Sequence, residues 1–366
     1  MIQNRLRNNI LLYPISILYS FGVDFRHFLY DIGVFKRYSY RLPIICVGNL
    51  NVGGTGKTPM VEYLINFLKE NFNISIISRG YKRESKGFRE VFLYNKVEEV
   101  GDEPLQIKNK FPDIQVIVCE KRRYAIERVI NNKKDKPQII IMDDGFQHLE
   151  VKPNINIIMI DYRNPIYKDF PLPFGTLREK IKYLIDSHII VVNNAPKDLK
   201  PLERRFFISR LNLYNYHKCY FSHIKYKKPI PLFPEYTNVL KYNFTKMKYN
   251  ILLVTGIANP TNLINYIKEF SEEIIPLIYP DHHYFSHKDF ETIYEKFNSF
   301  IEPNKIIITT EKDAIRIKNS KFVGLIKNLP LFYIPIELEI GFDEEEDFKN
   351  QILDYVRKNL SYNRLY

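Results

Sequence analysis

Residues Val47–Pro59 read VGNLNVGGTGKTP. An apolar run precedes this glycine-rich stretch and a helical pattern follows it, the order of a strand, a loop and a helix. Glycines in such a loop let the backbone turn its amides toward phosphate groups. A following lysine can reach the β- and γ-phosphates, and a threonine hydroxyl can ligate Mg²⁺. The stretch therefore resembles a Walker A loop and predicts nucleotide binding, with a magnesium contact at Thr58. The predicted nucleotide-binding residues are Gly53, Gly54, Thr55, Gly56, Lys57 and Thr58.

Two details bear on this nucleotide prediction. The loop departs from the strict Walker spacing at Asn51, where the pattern has glycine. A glycine-rich turn without a nucleotide is the alternative, which the G-K-T order and the strand–loop–helix context disfavour. Residues 132–135, NKKD, match the N-K-x-D string of guanine-specific GTPases. That string should end a strand, whereas here it precedes one, so we interpret it as a solvated turn.

Short β-branched runs alternate with helical patterns along most of the chain. The first series lies at 45–47, 74–78, 114–119, 138–142, 155–160 and 188–193. Such alternation predicts parallel strands joined by crossover helices. A second series follows at 251–256, 273–278, 305–310 and 331–336. We therefore predict an α/β protein with a P-loop NTPase-like, mainly parallel sheet flanked by helices, and a second, smaller α/β domain.

A change in composition indicates where the two domains meet. Residues 201–249 interrupt the alternation with aromatic residues, prolines and lysines, which indicates a linker or an exposed hairpin. The predicted segments are a membrane-associating helical segment at 1–41, a P-loop core at 42–215, a linker or hairpin at 216–249, and a second α/β domain at 250–366 that closes over the cleft.

Composition and charge restrict the class of protein. The 366 residues carry 54 lysines and arginines against 42 aspartates and glutamates, a net charge of +12, which favours an anionic partner. Nucleic-acid binding is disfavoured because the basic residues are spread along the chain without a recognition motif. Three cysteines do not indicate a disulfide framework and point to a reducing compartment. No run reaches the roughly 18 to 20 apolar residues that a transmembrane helix needs.

The amino-terminal segment combines apolar, aromatic and basic residues. Ile10–Tyr19 is apolar and follows Arg5 and Arg7, but no small-residue cleavage site comes after it, which argues against a secretory signal. Aromatic and basic side chains then interleave as far as Arg41. This pattern predicts an amphipathic helix that lies on an anionic membrane surface without crossing it. A helix packed on the protein's own core is the alternative.

A pair of acids follows a predicted strand. The stretch Ile139–His148, IIIMDDGFQH, runs from an apolar strand into Asp143 and Asp144. A carboxylate at the carboxyl end of a strand beside a phosphate-binding loop is where a Walker B aspartate holds Mg²⁺. We therefore predict that both aspartates serve the metal. The alternative is a solvated Asp-Gly turn.

Three further groups of polar residues have functions that the pattern alone leaves open. Asp102 and Glu103, in the string GDEP, precede a helical pattern and are typical of a helix cap. The string DHH at 281–283 follows a predicted strand. It lacks the additional ligands of a zinc site, and an exposed functional loop is the favoured interpretation. Arginines near strand ends are candidates for phosphate contacts, although most arginines are simply solvated. These candidates are Arg79, Arg122, Arg123 and Arg178.

Together the motifs resemble one family. The glycine-rich loop, GDEP, DDGFQH, LREK, DHHYF and TEKD (310–313) occur in the order and approximate spacing of the tetraacyldisaccharide 4′-kinases of lipid A biosynthesis. The resemblance covers most of the chain. It implies transfer of the γ-phosphoryl group of ATP to the 4′-hydroxyl of a tetraacyl glucosamine disaccharide 1-phosphate, with ATP and Mg²⁺ as cofactors. It also implies a peripheral enzyme on the cytoplasmic face of the inner membrane of a Gram-negative bacterium.

The resemblance assigns roles that the pattern left open. The family's catalytic aspartate and histidine map onto Asp102 and His282, although the sequence leaves His283 open as the catalytic histidine. The expected partners are a lipid A disaccharide precursor and an anionic membrane surface, with no nucleic acid and no obligate protein partner. The rival interpretation is a P-loop NTPase switch or metallochaperone that acts on a protein. The substrate and phosphate candidates are Arg79, Glu103, Arg122, Arg123, Gln147, His148, Arg178 and Glu179.

Overall fold

The computed structural model describes residues 9–132 and 135–362. Arg5 and Arg7 of the amino-terminal segment, and the two lysines at 133 and 134 in the NKKD string, lie outside the described residues. The strands of the described part, numbered along the chain, are β1 (Ile44–Gly48), β2 (Ile74–Ser78), β3 (Arg89–Glu90), β4 (Gln115–Val118), β5 (Ile139–Asp143), β6 (Ile155–Asp161), β7 (Ile189–Asn193), β8 (Lys218–Tyr226), β9 (Ile230–Pro231), β10 (Tyr249–Thr255), β11 (Ser271–Ile278), β12 (Lys305–Thr310), β13 (Leu331–Ile334) and β14 (Ile336–Ile340). Its α-helices are α1 (Tyr13–Asp31), α2 (Lys57–Leu68), α3 (Val97–Val100), α4 (Asp102–Lys110), α5 (Arg122–Ile130), α6 (Pro201–Arg210), α7 (Thr261–Ile267), α8 (His287–Asn298), α9 (Glu311–Asn319) and α10 (Glu345–Tyr362).

A nine-stranded sheet carries the glycine-rich loop. Its strand order is β14-β8-β7-β6-β1-β5-β2-β4-β3. The strands from β8 through β4 run parallel, and β14 and β3 join the two edges antiparallel. Central strands such as IICVG and IIIMD are buried along their whole length, as expected for a parallel sheet with both faces covered. The predicted α/β class and its mainly parallel sheet are confirmed.

Helices cover both faces of this first sheet. On one face, α2 packs its apolar side chains, including Met60 and Leu64, into a core shared with Phe348 of α10. On the other face, Ile126 of α5 and Phe207 of α6 belong to a second core. The helical spacing of apolar residues after the glycine-rich loop therefore corresponds to a buried helix face.

The second sheet is smaller, as predicted. Its strand order is β11-β10-β12-β13-β9, parallel except for β9. One face packs against Phe290 of α8 and Ile317 of α9. The other face packs against Leu263 and Ile267 of α7. This unit therefore has its own two-sided core.

The chain leaves the first unit after β8 and returns to it at β14. The sequence analysis placed these two strands in the linker and in the second domain. Residues 218–226, expected in the linker, form β8 inside the nine-stranded sheet, where it pairs with β7 and β14. Residues 336–362, expected in the second domain, form β14 and α10, which return to the first unit. Lys225 of β8 forms an ion pair with Glu339 of β14. Charged side chains are typical of a sheet edge, and they gave this segment the composition of a linker.

Helix α1 contacts the first unit through one side. Proline in its first turn favours a helix start there. Its buried residues are polar, namely Ser16, Ser20 and His27, whereas large apolar side chains such as Leu18 and Phe21 are exposed. Within the described ranges, no helix combines the length and apolar character needed to cross a membrane.

Candidate active site

The glycine-rich loop connects β1 to α2 and ends in a left-handed glycine. Gly56 has a φ of 100°, which residues with a Cβ rarely adopt. A Cβ at this position would lie 2.2 Å from Nδ2 of Asn193. The same Asn193 amide donates a hydrogen bond to the carbonyl oxygen of Thr55 at 3.0 Å. The end of β7 therefore fixes the turn from which α2 begins.

The first half of the loop pairs with a neighbouring segment, which explains the departure at Asn51. The backbone of Asn51 forms an antiparallel bridge with Leu177, and the Val52 amide donates to the Thr176 carbonyl at 2.8 Å. Positive φ values in the loop belong to Gly53 and Gly56. Because position 51 pairs like a strand, its backbone does not require glycine.

Asp144 connects the loop to two cations. Lys57 Nζ lies 3.7 Å from its Oδ1, and Arg178 donates to both of its carboxylate oxygens, at 3.0 and 3.3 Å. Arg178 also hydrogen bonds to the side-chain oxygen of Asn49. Burial raises the pKa of Asp144, but the charges of Lys57 and Arg178 outweigh burial and lower it to about 2. The carboxylate is therefore ionised and fixed beside the loop.

Asp143 is buried with half of its carboxylate unsatisfied. Its Oδ2 accepts a hydrogen bond from Ser78 at 3.2 Å, whereas its Oδ1 has no hydrogen-bond partner among the described residues. Burial is the largest cause that raises its pKa, and the negative charges of Glu103 and Asp144 raise it further, to about 7. The described ranges contain no group of three or more histidine, cysteine, aspartate or glutamate side chains arranged to hold a metal. An unpaired buried carboxylate oxygen is still a site that a divalent cation would satisfy.

Asp102 and His282 meet across the two units. Asp102 begins α4 in the first unit, and His282 lies in the loop after β11 in the second unit. Their Oδ2 and Nδ1 atoms are 2.8 Å apart. Burial raises the pKa of Asp102, but the hydrogen bond to His282 and the charges of Lys312 and Arg316 lower it well below its ordinary range. The aspartate is thus an ionised carboxylate buried at the contact between the units.

The structure distinguishes the two adjacent histidines. His283 lies 2.9 Å from Oδ2 of Asp289 through its Nε2 and stacks on Tyr279 within the second unit. His282, with a φ of 57°, turns instead toward Asp102. Of the two candidates that the sequence left open, His282 is the one in contact with the first unit.

Several predicted phosphate candidates gather near the acid pair. Arg122 is almost fully buried and donates to the Cys119 carbonyl at 2.9 Å, while its Nε and Nη2 have no hydrogen-bond partner among the described residues. Burial and the positive charges of Arg122 and Arg79 lower the pKa of His148 to about 3. Gln147 donates to the Asn49 carbonyl at 2.8 Å. Arg122 and Arg79, with the uncharged Gln147 and His148 beside them, form a basic region near Asp143 and Asp144.

Two other candidates are engaged elsewhere. Arg123 forms ion pairs with Glu127 and Glu150, and its guanidinium lies 3.6 Å from the centre of the Tyr38 ring. Glu179 is fully buried and contacts Arg26 and His27 of α1 at 2.7 and 2.8 Å. Its carboxylate therefore attaches the amino-terminal helix rather than facing the basic region.

The sequence analysis missed several residues that shape the site. Lys312 Nζ lies 2.9 Å from both Glu103 Oε1 and His282 Nε2, and Arg316 hydrogen bonds to Asp102. Asn193 was also missed, although its place at the carboxyl end of a parallel strand was a usable signal. Lys312 belongs to the string TEKD. That string contributed to the family resemblance, but no function was predicted for its residues.

The fold and this site define a P-loop nucleotide-dependent enzyme, with an aspartate–histidine pair at the junction of two α/β units. Residues 8–357 match the family model of the tetraacyldisaccharide-1-P 4′-kinases. The chain belongs to this family and is therefore a kinase, a phosphotransferase. The family predicted from the order of the motifs is confirmed.

Individual relatives agree over nearly the whole chain. A tetraacyldisaccharide 4′-kinase of Phocaeicola vulgatus is 41% identical over 357 residues, which cover 97% of each chain. The corresponding protein of Flavobacterium psychrophilum is 38% identical and covers 95% of this chain and 97% of its own. The crystal structure of LpxK from Aquifex aeolicus in complex with ATP has a TM-score of 0.70 at 26% identity, covering 97% of this chain and 100% of that chain.

Proposed function

We propose that this kinase transfers the γ-phosphoryl group of ATP to the 4′-hydroxyl of a tetraacyl glucosamine disaccharide 1-phosphate, with Asp102 and His282 as its catalytic residues. One observation carries the proposal: the 2.8 Å contact between these two side chains occurs beside the glycine-rich loop. The neighbouring Glu103 interacts electrostatically with Lys57 of that loop. The family match and the ATP-bound relative support the same reaction.

The glycine-rich loop holds ATP in this proposal. The backbone of residues 53–56 would surround the phosphates, although the Thr55 amide here donates to the Gly53 carbonyl at 3.1 Å. Lys57 would reach the β- and γ-phosphates. Arg178 is fixed by Asp144 and adds a second positive charge. Phosphoryl transfer depends on positioning and on neutralisation of charge more than on covalent help from the protein.

Mg²⁺ completes the proposed cofactor set. Thr58, Asp143 and Asp144 would hold it, and the ion when bound would neutralise charge on the nucleotide phosphates. The fit rests on the buried Oδ1 of Asp143, which lacks a hydrogen-bond partner among the described residues. Because Mg²⁺ usually keeps several water and phosphate ligands, one hydroxyl and two carboxylates are a sufficient protein contribution.

Asp102 accepts the proton of the attacking hydroxyl, and His282 orients its carboxylate. Its lowered pKa keeps the aspartate ionised, so the carboxylate carries no proton before the hydroxyl attacks. The two residues come from different units, so the site is complete only when the units are together.

The basic region receives the headgroup of the lipid substrate. Nε and Nη2 of Arg122, which lack hydrogen-bond partners within the described part of the chain, are suited to a phosphate or sugar oxygen, because buried guanidinium groups require acceptors. Arg79 is exposed at the end of β2. Gln147, His148 and Glu103 supply further polar groups for the sugar.

We assign the enzyme to the cytoplasmic face of the inner membrane of a Gram-negative bacterium, where it is peripheral. Helix α1 exposes Leu18 and Phe21, with 72% and 69% of their surface accessible. Such apolar side chains, together with the net charge of +12, are suited to an anionic membrane surface. The acyl chains of the substrate would remain in lipid while its headgroup enters the cleft.

The proposed domain division keeps an amino-terminal helical segment at 1–41. The P-loop core then combines residues 42–226 with 336–362, and the second unit comprises residues 227–335. This division follows the two sheets and their connecting strands β8 and β14.

The rival function, a nucleotide-driven switch acting on a protein, predicts ATP hydrolysis that is indifferent to the disaccharide. The decisive experiment incubates the protein with ATP, Mg²⁺ and tetraacyl disaccharide 1-phosphate in detergent, and then identifies the product by mass spectrometry. A matched lipid that lacks the 4′-hydroxyl is the control. We expect one added phosphate on the first lipid and none on the control. Hydrolysis without any phosphorylated lipid would support the switch.

A further inference from the structure

Helix α9 begins with the TEKD string and presents two cations to the aspartate–histidine pair. The Thr310 side chain accepts a hydrogen bond from the Asp313 amide at 3.0 Å, which caps the helix start. Lys312 and Arg316 are four residues apart and therefore lie on one face of the helix. Both contact the pair at the junction of the two units.

Arg316 is held at both ends of its guanidinium. Its Nε lies 2.9 Å from Oδ2 of Asp102, and its Nη2 hydrogen bonds to the same oxygen. On the other side, Nη1 donates to Oδ1 of Asp313 at 2.8 Å. Asp313 is itself fixed by the Gly256 amide at 2.9 Å. A planar, buried guanidinium bound in this way has one orientation, and it therefore fixes the orientation of the Asp102 carboxylate.

Lys312 and Asp102 together determine which nitrogen of His282 carries the proton, since the ionised Asp102 carboxylate requires a donor at Nδ1 and Lys312 requires an acceptor at Nε2. An ammonium group only donates, so its 2.9 Å contact with His282 Nε2 requires a lone pair on that nitrogen. The proton of the neutral ring then lies on Nδ1 and is donated to Oδ2 of Asp102 at 2.8 Å. Arg316 Nη2 approaches Nδ1 to 3.2 Å because both groups converge on that oxygen. Lys312 also donates to Glu103 at 2.9 Å, which fixes the ammonium.

We propose that Lys312 and Arg316 are positioning residues for phosphoryl transfer: Arg316 orients the carboxylate of Asp102, and Lys312 holds His282 as the neutral Nδ1–H tautomer. This inference rests on the proposed catalytic role of Asp102 and His282. It gives the TEKD string a function, since Thr310, Lys312 and Asp313 build the frame that presents both cations.

The arrangement has a consequence for the reaction cycle. Oδ2 of Asp102 already accepts hydrogen bonds from His282 and Arg316, and Oδ1 accepts one from the Glu103 amide at 2.9 Å. A carboxylate with this many donors is a weak proton acceptor. At least one contact from the second unit would therefore have to lengthen before Asp102 takes a proton.

The test combines kinetics with a direct measurement of the tautomer. Lys312→Met removes the ammonium group. Arg316→Lys keeps the positive charge but removes the planar guanidinium with its several N–H donors. We expect kcat to fall about 10- to 100-fold in each, with KM for ATP changed less than about threefold, because misplacement affects the transition state more than nucleotide binding. Lys318→Met, an exposed lysine on the same helix, is the matched control and should retain full activity.

Nitrogen-15 NMR of histidine-labelled protein reports the tautomer whether or not the enzyme is active. The His282 signals are assigned by their loss in His282→Gln. We expect the neutral Nδ1–H form in the wild type, and forms with a proton on Nε2, either the Nε2–H tautomer or the imidazolium, to gain population in Lys312→Met. An Nε2–H tautomer in the wild type, or an unchanged kcat in both variants of an active enzyme, would overturn the inference. A folded wild type that transfers no phosphate would refute the proposed function instead, and the spectrum would still decide the Lys312 contact.

Discussion

The contact between Gly56 and Asn193 makes a prediction at the scale of single residues. Gly56→Ala places a Cβ against the Asn193 amide in a left-handed backbone conformation. We expect it to cost about 1–3 kcal/mol of strain and to weaken ATP binding, since the turn holds the backbone that would surround the phosphates. Isothermal titration with ATP and thermal unfolding measure both effects.

The same loop offers a control. Gly54 has ordinary backbone angles, and a Cβ there would contact nothing within 4 Å. Gly54→Ala should therefore leave the melting temperature unchanged. Equal destabilisation by the two substitutions would show that the left-handed backbone at Gly56 is not the reason why this position requires glycine.

Residue-level prediction from the sequence succeeded where a motif is local. Lys57 and Asp144 belong to strings that can be read directly, and the structure brings them within 3.7 Å. Arg316 lies 214 residues from its partner Asp102, and Lys312 lies 209 residues from Glu103. No local pattern encodes such pairs, because they exist only after the two units meet.

At the scale of elements, α1 packs on a short segment that also contacts the glycine-rich loop. Residues 174–183 receive α1 and pair with the loop through Leu177. Glu179→Gln removes the charge that both Arg26 and His27 contact. We expect docking of α1 to weaken by about 1–3 kcal/mol, because one buried acceptor oxygen is replaced by an amide nitrogen that faces another donor. Faster proteolysis within α1 would show this.

An exposed ion pair on the same helix provides the comparison. Asp31 pairs with Arg37 at 2.8 Å, but its side chain is 62% exposed. Asp31→Asn should change α1 docking by less than about 1 kcal/mol. If both variants are cleaved at the wild-type rate, Glu179 does not anchor the helix.

Asp24 makes the attachment of α1 sensitive to acid. Burial raises its pKa, but hydrogen bonds from Lys180, Tyr183 and Lys182 outweigh burial and lower it to about 2. The docked helix therefore favours the ionised form, so this contribution is complete above about pH 4 and is lost as the pH falls through about 2. Amide protection factors in α1 should decline over this interval. In Asp24→Asn they should be lower at neutral pH and lack this decline, whereas an identical acid response in the variant would contradict the assignment.

Element prediction was most accurate for fully buried strands. The run ISIIS at 74–78 coincides with β2, since apolar β-branched residues with helical patterns on either side have few alternatives. By contrast, β8 carries exposed lysines at its end and pairs with a strand more than 100 residues later. Its membership in the first sheet depends on β14, which the sequence assigned to the second domain.

For the whole molecule, the exposed apolar side of α1 predicts membrane binding. Replacing both Leu18 and Phe21 with aspartate should reduce sedimentation with anionic vesicles by about tenfold or more, since two apolar side chains no longer enter the lipid. ATP affinity should stay unchanged. Leu202→Asp, at a 77% exposed position on α6, is the control. Sedimentation of the double variant at the wild-type level would exclude α1 as the membrane contact.

The α/β class of the whole molecule was predictable from the sequence, but the path of the chain between the two units was not. Two alternating series of strands predicted two α/β units, and the order of motifs predicted the family. The return of the chain through β14 and the contact of His282 with Asp102 are long-range features. The family resemblance supplied that pair, whereas residue pattern alone favoured a helix cap and a solvent-exposed loop.

Phosphate transfer from labelled ATP to tetraacyl disaccharide 1-phosphate in detergent micelles tests both the reaction and the roles of Asp102 and His282. The measurement compares the wild type with Asp102→Ala, His282→Ala and His283→Ala. We predict a 4′-phosphorylated product from the wild type, a loss of at least about 100-fold in the first two variants, and a rate within about threefold of wild type in the third. Absence of product from the wild type, or full activity in Asp102→Ala, would contradict the account.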